Sequence, residues 1–123
     1  MLELTLDAPK MLVNIEMKGP CNPEIRARYD IPKACSLVKE LIQEYGIANR
    51  TILSSFCRPI LDKMVQIVPK RQFKILFLKD DDGPELDYTT PKGMNGLNVD
   101  LHYLQQSVIK DIKNTGNTVG VWY

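Results

Sequence analysis

The sequence predicts an α/β fold: a parallel sheet covered by helices. Short β-branched and aliphatic runs alternate with stretches of helical apolar spacing along the whole chain. Glycines stand where the helical stretches should stop, at Gly46 and Gly116. No Gly-x-Gly-x-x-Gly or Walker-type loop follows any of the strand-like runs, which counts against a nucleotide-binding sheet. A doubly wound sheet and a (β/α)8 barrel both satisfy this pattern.

Met11–Met17 reads as the first strand, a dense apolar run with Glu16 and Lys18 at its end and Gly19-Pro20 to close it. Cys21–Tyr29 reads as a polar connection. Asp30 is placed to cap a helix that has Pro32 in its first turn. Ala34, Leu37, Val38, Leu41, Ile42 and Tyr45 give that helix one apolar face. Thr51–Ser55 is the second strand. A helix over Pro59–Val68 turns Ile60, Leu61, Met64 and Val65 inward, and Pro69 stops it. Phe73–Leu78 is the third strand. A polar loop over Lys79–Pro91 turns at Asp80-Asp81-Asp82-Gly83-Pro84. Gly96–Val99 is a short fourth strand, Leu101–Lys113 a helix through Leu104, Val108 and Ile112, and Thr118–Trp122 a fifth strand.

The 123 residues suffice for one small domain, without internal repeat or low-complexity tract. The net charge of +1 gives no electrostatic case for nucleic acid or an anionic membrane. No apolar run approaches the ~20 residues that span a bilayer, and the leucines near Glu3 and Asp7 lack a signal peptide's basic start. Cys21, Cys35 and Cys57 are odd in number and widely spaced, so neither a disulfide framework nor a zinc site is expected. Reduced thiols favour an intracellular setting.

Alternation along the first strand puts Asn14, Glu16 and Lys18 on one face and Val13, Ile15 and Met17 on the other. The polar face ends at the C-terminal end of a parallel strand, where such folds place their active sites. A carboxylate and an ammonium there fit a metal ligand beside a phosphate-neutralising lysine. They equally fit a solvated strand end, or a Glu–Lys pair that fixes register.

The motifs narrow this choice. Val13-Asn14-Ile15-Glu16-Met17-Lys18 resembles the n-I-E-i-K strand of the glycerophosphodiester phosphodiesterase family. Ile52-Leu53-Ser54-Ser55-Phe56, with Pro59 and Leu61 after it, resembles that family's i-i-S-S-F strand and the helix start that follows. Gly120-Val121-Trp122 resembles its v-x-V-W-T-x-N closing strand. Gly96-Leu97-Asn98-Val99 before a helix, and Gly116 before the tryptophan strand, keep the same order. The resemblance covers about the C-terminal half of the family domain.

It implies part of a TIM (β/α)8 barrel, with about five parallel strands. It also implies hydrolysis of glycerophosphodiesters to glycerol 3-phosphate and an alcohol, with Mg²⁺ or Ca²⁺ held by three carboxylates and two histidines moving protons. Carried over by position, Glu16 is one metal ligand and Lys18 a phosphate contact. Ser54, Ser55 and Phe56 reach the substrate pocket, and Trp122 walls it. Each has a plainer reading: the serines satisfy local backbone groups, and the aromatic rings fill barrel layers.

No His-Arg, Glu-x-Asp or further histidine precedes the Glu16 strand, and His102 reads as a surface or helix-start residue. Tyr123 stands where the family has Thr. A whole barrel takes ~250 residues. The expectation is therefore one incomplete domain over residues 1–123, a piece of a longer enzyme that is inactive alone. Its open edges should be met by the missing N-terminal half or by self-association. Three other readings remain: a non-catalytic piece or pseudoenzyme with a binding role, a related phospholipase D-type toxin barrel, and an unrelated α/β binding domain. In the last, Glu16 and Trp122 need not face the same way.

Overall fold

Parallel pairing joins every predicted strand. The computed structural model describes residues 6–19, 21–68, 72–79 and 88–123. In chain order these hold β1 (Val13–Glu16), α1 (Pro23–Arg26), α2 (Ile31–Glu44), β2 (Thr51–Ser55), α3 (Arg58–Ile67), β3 (Lys74–Lys79), β4 (Gly96–Asp100), α4 (Gln106–Asn114) and β5 (Thr118–Trp122). Single 3₁₀ turns precede β2 and follow β4.

The sheet order is β1-β2-β3-β4-β5, all parallel. It runs in sequence order without reversal, so there is no topological switch point of the doubly wound kind. This is the winding of a barrel, here five strands of it: a half-barrel.

Two faces result. Val13, Ile15, Met17, Leu53, Ile75 and Phe77 pack outward against α2 and α3, around the fully buried Ile42, Ile60, Leu61 and Met64. Leu97, Val99 and Val119 pack with Ile112 and Val108 of α4 in a second cluster. Burying each such aliphatic side chain contributes roughly 1.5–3 kcal/mol. The opposite, barrel-interior face follows from the register. Glu16 pairs with Ser54, Ser54 with Leu76, Leu76 with Gly96 and Gly96 with Thr118. Asn98, Asp100, Gly120 and Trp122 continue that face by alternation.

Gly96 is required where it stands, because a Cβ there would fall on the Thr118 carbonyl. Gly46 and Gly116 sit at φ +64° and +79°, which fits their helix-stopping role. Asp30 caps α2, its Oδ1 accepting from Lys33 N at 2.9 Å.

Several boundaries differ from the sequence reading. β1 starts at Val13, leaving Met11 and Leu12 exposed. The connection after it contains α1, capped by Asn22, whose Oδ1 accepts from Glu24 N at 2.9 Å. In α2 the inward face is Ala34, Cys35, Val38, Ile42 and Tyr45, whereas Leu37 and Leu41 are 51% and 44% exposed. Among the described residues they take no part in the core that α2 shares with the sheet and α3. The Leu101–Lys113 helix is a 3₁₀ turn, Leu101–Tyr103, followed by α4, because the Asp100 side chain caps the turn. Pro20, Pro69 and the Asp80–Pro84 turn lie outside the described residues.

Candidate active site at the strand ends

The C-terminal ends of β1 and β2 border an open cavity of about 290 Å³ lined by Glu16, Met17, Lys18, Gly19, Ser55, Phe56 and Cys57. Glu16 and Lys18 are both exposed. Among the described residues neither forms an ion pair, so the register-fixing Glu–Lys pair is not present. Both charges are left available to a ligand.

Ser55 closes the floor. Its hydroxyl donates to the Met17 carbonyl at 2.6 Å and accepts from the Cys57 N–H at 3.0 Å. This ties β1 to β2 just where the polar face ends, and Met17 N–H extends the ladder to the Ser54 carbonyl at 2.9 Å. Ser55 thus lines the cavity with its hydroxyl already committed to backbone. Ser54 does not line it. Its hydroxyl lies inside the sheet face, donating to Asn14 Oδ1 at 3.4 Å.

Phe56 is the apolar side of the cavity, and its ring meets Trp122 edge to face with centroids 5.3 Å apart. Trp122 is held from behind, its Nε1–H donating to the Lys79 carbonyl at 3.2 Å. Trp122 therefore reaches the cavity through Phe56. Glu16 and Trp122 face the same side of the sheet, as the register requires.

Two further groups share this face and were missed. Asn98 is buried, and its Oδ1 has no hydrogen-bond partner among the described residues. It sits over Gly120, where a Cβ would come within 2.9 Å of that oxygen. Asp100 ends β4 and accepts at one oxygen from His102 N (2.9 Å) and from His102 Nδ1 (2.7 Å). The backbone N–H and then the side chain of His102 hold the Asp100 carboxyl below its ordinary pKa. The alternation that selected Glu16 would also have selected Asp100. His102 does start a helical turn, and its side chain is 76% exposed at the same end of the sheet.

Among the described residues no three His, Cys, Asp or Glu side chains converge. Glu16 supplies a hard oxygen suited to Mg²⁺ or Ca²⁺, but such ions take about six or more oxygen ligands. Glu16 alone among the described residues of the cavity offers a carboxylate.

Solved structures with this architecture are similar over nearly the whole chain. A glycerophosphodiester phosphodiesterase from Parabacteroides distasonis matches with TM-score 0.75 and 25% identity, over 98% of this chain and 48% of its own. The fold of this chain is similar to about half of that barrel. A candidate glycerophosphoryl diester phosphodiesterase from Silicibacter pomeroyi shares the fold at TM-score 0.75 and 16% identity, over 99% of this chain and 43% of its own. A candidate glycerophosphodiester phosphodiesterase from Galdieria sulphuraria does so at 0.73 and 19%, over 98% and 48%. The half-barrel thus spans somewhat under half the length of each. No family model and no curated protein matches the sequence itself. No helix among the described residues is long and apolar enough to cross a membrane.

Proposed function

We propose that this half-barrel is the C-terminal part of a metal-dependent phosphodiesterase that hydrolyses glycerophosphodiesters to glycerol 3-phosphate and an alcohol. The observation that supports this is Glu16 and Lys18, without an ion pair among the described residues, in one cavity at the strand ends beside Phe56, which Trp122 backs. Glu16 is one carboxylate ligand to Mg²⁺ or Ca²⁺, and the rest of the barrel supplies the others. When bound, the cation stabilises negative charge on the phosphoryl oxygens. Lys18 places a mobile point charge against a phosphate oxygen. Phe56, backed by Trp122, packs against the glycerol or alcohol part and excludes water. Ser55 holds the two strand ends in register, and Ser54 lies beneath them. Proton transfer needs groups from outside this chain, which alone is inactive. The setting is intracellular.

The test uses a polypeptide carrying both barrel halves. Mg²⁺- or Ca²⁺-dependent release of glycerol 3-phosphate should be present and should fall at least ~100-fold in Glu16→Gln. Equal turnover in that variant defeats the reading. A second reading, a non-catalytic piece with a binding or partner role, is favoured by the lack of three converging His, Cys, Asp or Glu side chains among the described residues. It predicts no turnover even with both halves present.

A further inference from the structure

The indole of Trp122 lies across the end of β4. Trp122 ends β5, yet its Nε1–H reaches the Lys79 carbonyl at the end of β3, and its ring meets Phe56 just beyond β2. The strand it crosses ends in Asp100, which is paired with Trp122 in the β4–β5 register. Neighbouring strands lie ~4.8 Å apart, so the two side chains leave one face of the sheet side by side. The Asp100 side chain is 16% exposed. Its Oδ1 is taken by His102 N and Nδ1, whereas Oδ2 makes no hydrogen bond among the described residues. The hydrogen bonds from His102 favour the carboxylate, so Asp100 is ionised at neutral pH. Lys79 Nζ lies over the Phe77 ring, 5.5 Å from its centre, on the outward face. A carboxylate therefore stands in register beside two aromatic rings whose planes are at 88°.

We propose that Asp100 is a specificity-determining residue which, with Trp122 and Phe56, selects substrates whose alcohol part carries a quaternary ammonium group. This rests on the phosphodiesterase reading of the same cavity. Lys18 offers a positive charge to the phosphate, and Phe56 lines the cavity with it. Beyond Phe56, the wall changes to indole and carboxylate. A zwitterionic diester has the matching order, an anionic phosphate followed by a cation. Aromatic faces attract a cation through their quadrupole and ask for no hydrogen bond in return. A primary ammonium would bring three N–H donors to a wall whose open acceptor is Asp100 Oδ2. Asn98 Oδ1, also without a partner, is buried out of reach. Donors left unsatisfied there would weaken binding. A trimethylammonium brings none. A neutral alcohol part would leave the Asp100 charge without a counterion in a partly buried place.

The test compares three diesters in a polypeptide carrying both barrel halves: glycerophosphocholine, glycerophosphoethanolamine and glycerophosphoglycerol. The choline ester should have the highest kcat/KM, about 10-fold above the glycerol ester. Asp100→Asn keeps an oxygen to cap the Leu101–Tyr103 turn, and should bring that ratio to within about two-fold of one. Equal values for the choline and glycerol esters would overturn the proposal while the phosphodiesterase reading stands. So would an ethanolamine ester that outruns the choline ester, or a ratio unmoved by Asp100→Asn. Binding is read without turnover in the 123-residue chain, from the emission of Trp122, its only tryptophan. Choline should shift the emission saturably, and its uncharged isostere with carbon in place of nitrogen should not. No response to choline, or an equal response to both, overturns the proposal. A choline response lost in Glu16→Gln and kept in Asp100→Asn does so as well.

Discussion

The rings of Phe56 and Trp122 touch edge to face, 5.3 Å between centroids with planes at 88°, although β3 and β4 lie between their strands. Three strand spacings in a flat sheet amount to ~14 Å. The contact exists because the sheet curls and its interior side chains converge, as a barrel wall requires. Such a pair contributes about 0.5–1.5 kcal/mol beyond burial. Phe56→Ala should lower unfolding free energy by about that amount or somewhat more. As Trp122 is the only tryptophan, its emission should also shift to the red. Unchanged emission would mean that the rings do not meet.

Gly96→Ala is the substitution the sheet should tolerate least. The new Cβ falls on the backbone carbonyl of Thr118, and no rotamer change removes it. The β4–β5 ladder has to open, at a cost of about 3 kcal/mol or more. Amide exchange across Thr118–Trp122 should rise sharply, while exchange in β2 stays slow.

Asp100 gives the fold a dependence on acid. Its pKa in the folded chain is depressed by the N–H and side chain of His102. The unfolded chain therefore binds the proton more readily, and the stabilisation is present above the unfolded value, ~3.9. It is lost as pH falls through the folded value. Urea midpoints measured from pH 6 down to pH 2.5 should fall less steeply in Asp100→Asn than in the unsubstituted chain.

Lys18 and Glu16 should separate kinetically in a polypeptide with both barrel halves. Lys18→Ala should lower turnover by about 10²–10³-fold, with metal affinity little changed. Glu16→Gln should weaken metal affinity as well, read by titrating activity and tryptophan emission with Mg²⁺ or Ca²⁺.

The apolar patch on α2 should be sticky. Leu37 and Leu41 share one exposed face of that helix. Leu37→Lys with Leu41→Lys should reduce concentration-dependent association in sedimentation while leaving helix content unchanged. Unaltered association would move the sticky surface elsewhere, to the exposed Val121 and Tyr123 at β5.

Most of the fold was legible because each strand carries its own hydrophobic run and its own turn residues. β2 and β5 have the boundaries the sequence reading assigned them. The misreadings have a common cause. Leu37 and Leu41 fit the helical apolar stripe, and periodicity does not say whether a neighbour is there to cover them. Leu12 extends the β1 run, but pairing with Thr51 begins only at Val13. In the site, the strand-end rule located Glu16 and Lys18. The same rule applied to β4 would have found Asn98 and Asp100, which were overlooked because no charged pair advertised them. That Ser55 is spent on the Met17 carbonyl was invisible, since it depends on two chain segments meeting.

The Ser55 hydroxyl, engaged by one strand end and by the turn into α3, fixes the mouth of the cavity from within this chain. Under the proposed function, the other half of the barrel would meet a rim that is already shaped. The conformational entropy of arranging it has been given up during folding and need not be lost again on assembly. Complementation between separately made halves should accordingly be governed by how well their outer strands fit, with little added delay from remodelling at the centre.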